Sequence, residues 1–531
     1  MPPTPASPPS PAPVEWSDVR GHARVSRAHR STRQGGRGVA LAVVCTAALI
    51  INVDNTILNV ALPTLVRDLG ATSSELQWVV DSYAMVLAGL LLLGGSLADR
   101  FGRRRFFLTG LVVFAAGSAG AALAQSAGPL IAWRALMGAG AALTIPASLS
   151  IINDLFRDPA ARVRAIGAWA GTIGLGIAIG PIAGGLLLER FWWGSIFLVN
   201  LPVVAAGLVG AVLVVPESRN PAPPPADPTG AVLSVAGLGL VLWAIIQAPV
   251  DGWTSSPVVR AGVGGVGVLL AFVVWEARSS HPMLPLGCFA GRRFSVAAAA
   301  ETLGAFGLLG SLFVQTQFLQ SDLAYTPLQA GLRILPLAGV LVVSAALSAH
   351  AVHAIGTKGT AAAGLAAIAA GLWQVSAVST AATVYTDVLP GLLLIGCGAG
   401  LLLPTATNSV VGSVPRGDAG IGSAVNAVAL QVGGAFGVAV IGSVLSTRYQ
   451  SSMSAALAGH PVPEAAAHAI HGSLGGALAV ADAAGGAIGP VLAHAARAAF
   501  MSGTGLAMGT GAAAAAGGAL LVLALLPSRP R

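Results

Sequence analysis

The chain has 531 residues, of which 55% are hydrophobic and only 9% are charged, whereas soluble domains carry roughly 25% charged residues. This composition excludes a water-soluble domain. Apolar stretches of about twenty residues recur, each long enough to cross a ~30 Å hydrocarbon layer, so we predict an all-α polytopic membrane protein. The net charge of +8 does not indicate a nucleic-acid partner, because the basic residues cluster in short segments between the apolar stretches.

Fourteen spans are predicted, and an N-terminal tail precedes them.

The first 37 residues are rich in Pro and then in Arg. They lack the apolar core and cleavage site of a signal peptide, so we expect residues 1–37 to be a disordered cytoplasmic tail. The spans are expected at 38–62, 76–97, 105–124, 128–151, 164–188, 194–215, 229–247, 258–275, 294–319, 328–350, 359–380, 386–410, 420–445 and 501–526.

The basic residues also orient the spans. With the N-terminus inside, the cytoplasmic segments hold 21 basic residues and the outer segments hold five, which favours an even number of spans and two cytoplasmic termini. Only one of the 28 basic residues is a lysine, and Arg, Ala, Gly and Pro all have GC-rich codons. We therefore expect a multi-pass protein of a bacterial cytoplasmic membrane.

Fourteen spans divide naturally into six, two and six. Residues 38–215 and 294–526 are expected to form two six-helix bundles, and the linker 216–293 is expected to carry two inserted helices. Residues 527–531 follow as a cytoplasmic C-terminus. Segment 446–500 is expected to be an extracellular loop, either a short hairpin or a partly disordered lid. The three cysteines lie far apart in sequence, so neither a disulfide nor a metal site is predicted.

The most specific motif follows the second span and reads "GSLADRFGRRR". A basic loop explains its arginines but not the glycines and the aspartate at fixed offsets. The pattern resembles the loop between helices 2 and 3 of the major facilitator superfamily. The resemblance implies two six-helix bundles around a central cavity, and a loop that switches between inward-open and outward-open states. The candidate switch residues are Gly95, which we expect to allow close helix contact, Asp99, Arg100, Gly102 and Arg103.

The fifth span contains "GIAIGPIAGG". Gly176, Gly180 and Gly184 share one helix face and permit close helix contact in lipid, while Pro181 removes a backbone hydrogen bond. By themselves, the glycines would indicate only a face that packs closely against another helix. With Pro181 and the final Gly184–Gly185 pair, the segment resembles the motif of proton-driven exporters in the superfamily, which implies a structural role for these residues.

The first two spans carry acids. "VDNTILNVALP", which contains Asp54, and "QWVVDSYAMVLAG", which contains Asp81, resemble helices 1 and 2 of the fourteen-helix drug:proton antiporters. The resemblance implies that both acids bind protons or cations. Independently, a charge inside the bilayer costs several kcal/mol, so such acids face a partner or a watery cavity. We expect both to approach one outward-facing cavity, and a structural ion pair is the alternative for Asp54.

Two further ionisable residues lie within spans. Arg134 resembles the helix 4 arginine of the family, which implies an influence on proton transfer, and a structural pair with a carboxylate such as Asp54 is the rival interpretation. Met137 stands where the family often has Gln. Glu301, in the ninth span, is expected to recognise a cationic substrate or carry a proton, unless its helix turns it toward cytoplasmic water.

Some segments depart from the family pattern. The loop after the tenth span keeps Gly356 but has His353 in the place of Asp99. In "WWGSIFLVNLP", Ser195 replaces a Trp, and near the thirteenth span Leu430 replaces an Arg. Because His353 stands in the place of Asp99, we expect the second switch loop to be degenerate.

These features together predict a proton-coupled efflux transporter for hydrophobic or cationic drugs or antibiotics, and not an enzyme. The chain has no phosphate-binding G-x-x-x-x-G-K-[ST] motif, so the proton gradient rather than ATP is the expected driving force, with no cofactor. The expected partners are the lipid bilayer, a small substrate and protons, and the expected state is a monomer. The alternatives are an exporter of one endogenous metabolite, antibiotic or lipid and, less favoured, a membrane sensor that does not transport.

Overall fold

The computed structural model describes residues 16–220, 226–414, 419–460 and 462–527, and each regular element in these ranges is helical. A 3₁₀ turn spans Leu286–Ala290 and a π turn spans Phe318–Asp322. The α-helices are α1 (Trp16–Leu69), α2 (Ser73–Phe101), α3 (Arg103–Ala122), α4 (Ala127–Leu155), α5 (Pro159–Arg190), α6 (Ser195–Leu198), α7 (Asn200–Val214), α8 (Pro228–Asp251), α9 (Ser256–Arg278), α10 (Arg292–Gln317), α11 (Pro327–Val378), α12 (Tyr385–Val411), α13 (Ala419–Ala456), α14 (Glu464–Gly472), α15 (Leu474–Ala484) and α16 (Ile488–Leu525).

Thirteen helices in the described residues are long and apolar enough to cross a membrane. One of them, α11, has 52 residues and is broken at Gly356, whose φ of +75° lies outside the helical range, so it supplies two spans. The prediction of an all-α membrane protein with fourteen spans is thereby confirmed. Helix α1 begins at Trp16, inside the segment predicted to be disordered, and residues 1–15 lie outside the described residues.

The helices form two halves and an inserted pair. Helices α1–α7 make the N-terminal half, and α10–α13 with α16 make the C-terminal half. The inserted helices α8 and α9 pack beside them, with α8 against both α2 and α13. We call the end of the bundle at the α2–α3 connection the arginine-rich face, and the end at the α1–α2 connection the opposite face.

The two halves keep a common register. Thr72 before α2 and Thr326 before α11 each close a capping box, in which the threonine hydroxyl and the side chain three residues later bond each other's backbone N–H groups. Gly102 and Gly356, at the far ends of the same spans, both have positive φ. Each pair is separated by 254 residues, so equivalent helices begin and end at equivalent positions, as expected for an internal repeat.

Small residues set the spacing of the helices around the site. Added side chains at Gly94 of α2 and Gly138 of α4 would meet Ala142 O and Tyr83 O respectively, because the two backbones touch there. Gly110 of α3 and Gly140 of α4 allow the same closeness, with an added Cβ 2.7 Å from Gly140 O and Gly110 O respectively. In lipid, where apolar burial gives little drive, such backbone contact is a main source of helix association.

The predicted loop 446–500 is largely helical. Helix α13 continues to Ala456 and α16 begins at Ile488, earlier than the predicted residue 501. Helices α14 and α15 form a hairpin between them, held by Tyr449, whose hydroxyl donates to Ile470 O at 2.9 Å. The hairpin packs on the opposite face of the N-terminal half, where a Cβ on Gly475 would lie 2.8 Å from Val66 Cγ1. Of the two forms predicted for segment 446–500, the structure therefore has the hairpin, and both arms of the hairpin are helical.

Candidate functional site

Asp54 of α1 and Arg134 of α4 form an ion pair inside the N-terminal half. Nη1 of Arg134 donates to Oδ2 of Asp54 at 2.6 Å, and both side chains are completely shielded from solvent. Nε of Arg134 donates to Val79 O of α2 at 3.1 Å. The guanidinium also lies over the Tyr83 ring, 4.4 Å from its centre. The structural pair that the sequence left open as an alternative is therefore present.

A polar network extends from this pair to α7 and α3. Nδ2 of Asn200 donates to Oδ1 of Asp54 at 2.7 Å and to Oγ of Ser118 at 3.0 Å. Ser118 in turn donates to Phe197 O at 2.8 Å. Both oxygens of Asp54 thus have partners, whereas Nη2 of Arg134 has none among the described residues. Additional hydrogen bonds of this kind reduce the desolvation cost of a buried ion pair. The sequence predicted no role for Asn200, although its amide stands out in the apolar segment "WWGSIFLVNLP".

Asp54 and Asp81 do not share a cavity, so that expectation was wrong. Asp54 faces α4 and α7 within its own half, whereas Asp81 of α2 faces α13 across the interface between the halves. The reason is the rotation of α1 about its own axis. Asn52 and Thr56 pack on α5, so Asp54 points away from α5 and toward α4 and α7.

Met137 stands in the position where the family often has Gln, and it offers Arg134 only a sulfur atom 4.0 Å from Nη1.

Asp81 is buried without compensation. Its side chain is completely shielded, and neither carboxyl oxygen has a hydrogen-bond partner among the described residues. It lines a cavity of about 20 Å³ between the two halves, together with Asn55, Asn59 and Gln431. Such a volume accommodates about one water molecule. Gln431 was not singled out in the sequence, where only its polarity within an apolar span could have drawn attention.

Glu301 of α10 lies apart from Asp81. It is 1% exposed, so it does not reach water at the arginine-rich face as the alternative required. Its Oε1 accepts a hydrogen bond from Thr407 of α12 at 3.3 Å, and the side chain of Asn426 of α13 also lies beside the carboxyl group. Leu309, which lines the Asp81 cavity, lies eight residues further along α10, about 12 Å away at 1.5 Å per residue. The structure therefore separates the two acids along the bundle axis.

The α2–α3 connection is held by a chain of charges. Nε of Arg103 bonds Oδ1 of Asp99 at 2.7 Å, and Nη1 of the same arginine bonds Oδ2 of Asp154 at the end of α4, at 2.5 Å. Arg100 is exposed and lies over the Phe101 ring at 5.5 Å. The predicted pairing of Asp99 with an arginine is confirmed, and Asp154 is an additional partner that the sequence did not indicate.

Glycines shape this connection in two different ways. Gly102 has φ +122°, and a Cβ there would lie 2.8 Å from the Glu217 carboxylate, which also accepts from Arg104 N at 3.1 Å. The segment after α7 thus packs directly on the turn. The close helix contact expected at Gly95 is made by its neighbour Gly94, since a Cβ on Gly95 would reach only Pro146 at an ordinary 3.5 Å.

One face of α5 lies directly against α1. A Cβ on Gly176 would lie 2.7 Å from Asn52 Cβ, one on Gly180 would overlap the Thr56 hydroxyl, and one on Gly184 would lie 2.8 Å from Ile57 Cγ1. Thr56 also donates to Gly176 O at 2.8 Å. The three glycines predicted to share a face therefore share it, and α1 is their partner.

The remaining two motif residues face the C-terminal half. Added side chains at Gly185 and at Gly331 of α11 would overlap the backbones of Leu328 and Pro181 respectively. Toward the arginine-rich face the two helices separate, since a Cβ on Gly174 would be 3.8 Å from Val342 and one on Gly171 would meet nothing within 4 Å. The halves are thus in tight contact at the opposite face and diverge toward the arginine-rich face.

The fold and this arrangement can be compared with known proteins. A sequence model of the Major Facilitator Superfamily matches residues 44–438. The chain is 37% identical over 465 residues to the multidrug efflux pump LfrA of Mycolicibacterium smegmatis, covering 88% of this chain and 91% of that protein. It is 36% identical to the puromycin resistance protein pur8 of Streptomyces alboniger, covering 76% and 81%.

A solved structure has the same fold. A bacterial homolog of the human lysosomal transporter Spinster superposes with a TM-score of 0.64 at 18% identity, covering 93% of this chain and 99% of that one. The extent of the sequence match and the likeness to multidrug and antibiotic resistance exporters agree with the motif at the α2–α3 connection, the glycine face of α5 and the buried acids. The chain belongs to the major facilitator superfamily.

Proposed function

We propose that this protein exports hydrophobic or cationic compounds across a bacterial cytoplasmic membrane in exchange for protons, working as a monomer and without a bound cofactor. The arginine-rich face lies in the cytoplasm in this proposal, and the opposite face lies outside. The excess of basic residues in the segments at the arginine-rich face supports that orientation. The resemblance to a multidrug efflux pump and to a puromycin resistance protein supports the substrate class.

The observation that carries the proton-coupled part is the uncompensated burial of Asp81. An isolated carboxylate in a low-dielectric site is too costly to keep, and such a group takes up a proton instead. Asp81 therefore holds a proton in this conformation. Because it lies between the halves, it becomes solvated and able to lose or gain that proton when the halves move. Asp54 accepts hydrogen bonds from Arg134 and Asn200, which favour its anionic form, so we assign it no change of charge in the cycle.

The cycle follows from this placement. When the opposite face opens, Asp81 takes a proton from outside and substrate leaves. The halves then close around Asp81, which is neutral at this stage of the proposed cycle, and the proton is released toward the cytoplasm once the cavity hydrates. Glu301, nearer the arginine-rich face, supplies a second buried carboxyl that a cationic compound entering from the cytoplasm would meet. One elementary charge moved through 100 mV supplies about 2.3 kcal/mol to this cycle.

A second candidate is export of one endogenous compound. The likeness to a resistance protein named for a single antibiotic favours it, because the same architecture there is associated with one compound. The two candidates share the coupling chemistry and differ in the range of compounds carried.

Ethidium efflux from cells that express the protein tests the proposal. We expect a protonophore to abolish efflux by the parent protein and Asp81→Asn to abolish it without one, because the amide cannot exchange a proton. Asp251→Asn is the matched control, since Asp251 is an exposed acid at the end of α8. Protonophore-resistant efflux would refute proton coupling, and full efflux by Asp81→Asn would remove Asp81 from it. A parent protein that exports puromycin but not ethidium would favour the narrow exporter.

A further inference from the structure

A π turn ends α10 at the interface between the halves. It spans Phe318–Asp322, with Leu323 N donating to Phe318 O at 3.0 Å, and Ala324 after it has φ +54°. Turns of this type are rare and occur frequently at functional sites. A non-glycine residue with positive φ is also uncommon. The backbone here departs from a regular helix end, which directs attention to the side chain that the turn presents.

The turn presents Gln320 to the other half. Nε2 of Gln320 donates to Val60 O of α1 at 2.8 Å, a hydrogen bond between residues 260 positions apart. Pro63, three residues after Val60, has no N–H to donate to Asn59 O, so the hydrogen bonding of α1 is interrupted beside the acceptor. The hydrogen bond from Gln320 to Val60 O therefore joins two places where the helical backbone is irregular, one in each half.

This hydrogen bond lies between two cavities. Toward the bundle centre, Asn59 lines the cavity that contains Asp81. Toward the opposite face, Gln320 and Pro63 line a larger cavity of about 830 Å³ that is covered by α15 and the start of α16. A path from the centre to the opposite face between these halves passes the contact of Gln320 with Val60, so the contact must break when that face opens.

We propose that Gln320 is a positioning residue of the transport cycle, which holds the opposite face closed through Val60 and so sets the equilibrium between closed and open states. The proposal rests on the proposed function only in assigning the opposite face to the outside. A single hydrogen bond between neutral groups suits this role, because its net loss shifts an equilibrium by about 2- to 12-fold and leaves both states accessible.

The test measures access to the Asp81 cavity from each side of the membrane. Val438 of α13 lines that cavity and is 2% exposed, so Val438→Cys reports its opening. Labelling by a membrane-impermeant maleimide is followed in whole cells and in inside-out vesicles. The same protein without Val438→Cys gives the background from the natural cysteines. Gln320→Leu removes the donor, and Gln320→Asn shortens it by one methylene.

Gln374→Leu is the matched control, because Nε2 of Gln374 donates to Asp387 O at 2.6 Å within the C-terminal half. We expect both Gln320 variants to label about 2- to 12-fold faster than the parent from outside, and Gln374→Leu to label like the parent. Equal rates in parent and Gln320 variants from both sides would overturn the proposal. A gain seen in inside-out vesicles alone would support the role of Gln320 and refute the proposed orientation, and the labelling requires no transport.

Discussion

Replacing Arg134 with methionine removes the buried ion pair together with the other contacts of the guanidinium. The arginine donates to Asp54 at 2.6 Å and to Val79 O at 3.1 Å, and it lies over the Tyr83 ring. Methionine fills similar volume and provides none of these contacts. Breaking a buried pair from one side costs about 3–5 kcal/mol, because the remaining charge is left uncompensated. We therefore expect Arg134→Met to be strongly destabilised.

The expected shift in melting temperature follows from the size of the protein. Unfolding entropy is about 2.1 cal/mol/K per residue, or ~1.1 kcal/mol/K for this chain of 531 residues. A loss of about 3–5 kcal/mol then lowers Tm by roughly 3–5 °C. Arg448→Met is the control, since Arg448 is exposed and bonds only Ser502 among the described residues, at 3.0 Å. Thermal unfolding of the detergent-purified variants measures both.

The double variant distinguishes a pair from two independent residues. Asp54→Asn with Arg134→Met removes both charges, so we expect its Tm to exceed the additive value by about 2 °C, equivalent to a coupling of roughly 2 kcal/mol. Additive losses would refute the argument that the two side chains stabilise each other. A double variant that regains stability but not ethidium efflux would show that Asp54 has a role in transport beyond pairing.

Three further changes test other parts of the site. Gly180→Ala would force α1 and α5 apart, so we expect efflux to fall at least about tenfold at normal membrane levels, whereas Gly171→Ala, with open space around it, should match the parent. Gly102→Ala requires an unfavourable φ of +122° and a clash with Glu217, so efflux should fall while ethidium binding to the purified protein persists. Glu301→Gln replaces a buried carboxyl with a group that cannot ionise but still forms hydrogen bonds, so efflux of ethidium should fall and efflux of a neutral dye should not; equal loss of both would contradict a role in recognising cations.

The sequence predicted the features that depend on local pattern. Apolar runs long enough to span the bilayer predicted the helices, and the break at Gly356 lay in the segment predicted to join two spans. Glycines at intervals of four predicted the contact face of α5, because helical periodicity fixes which side chains share a face. The pairing of Asp99 with Arg103 was accessible for the same reason, since the two residues lie four positions apart.

The features that were missed depend on how distant helices rotate against each other. The prediction that Asp54 and Asp81 share a cavity was wrong, because the contacts of α1 with α5 turn Asp54 toward Arg134. Glu217 packs on Gly102 from more than a hundred residues away, and no local pattern joins them. Gln320 lies in a π turn that breaks helical periodicity, so periodicity could not indicate where its side chain points.

Asp54 has an ion-pair partner and Asp81 has none among the described residues, and in the proposed cycle this difference gives the two aspartates different parts. Asp54 binds α1 to α4 and α7 through Arg134 and Asn200, which holds these helices together as one body. Asp81 lies at the boundary between that body and the C-terminal half, where its carboxyl group has no hydrogen-bond partner among the described residues. Motion of α1 as part of this body must break the bond from Gln320 to Val60 O when the opposite face opens. In the proposed cycle the same motion exposes Asp81, so the hydrogen bond from Gln320 to Val60 O and protonation of Asp81 favour the same closed state.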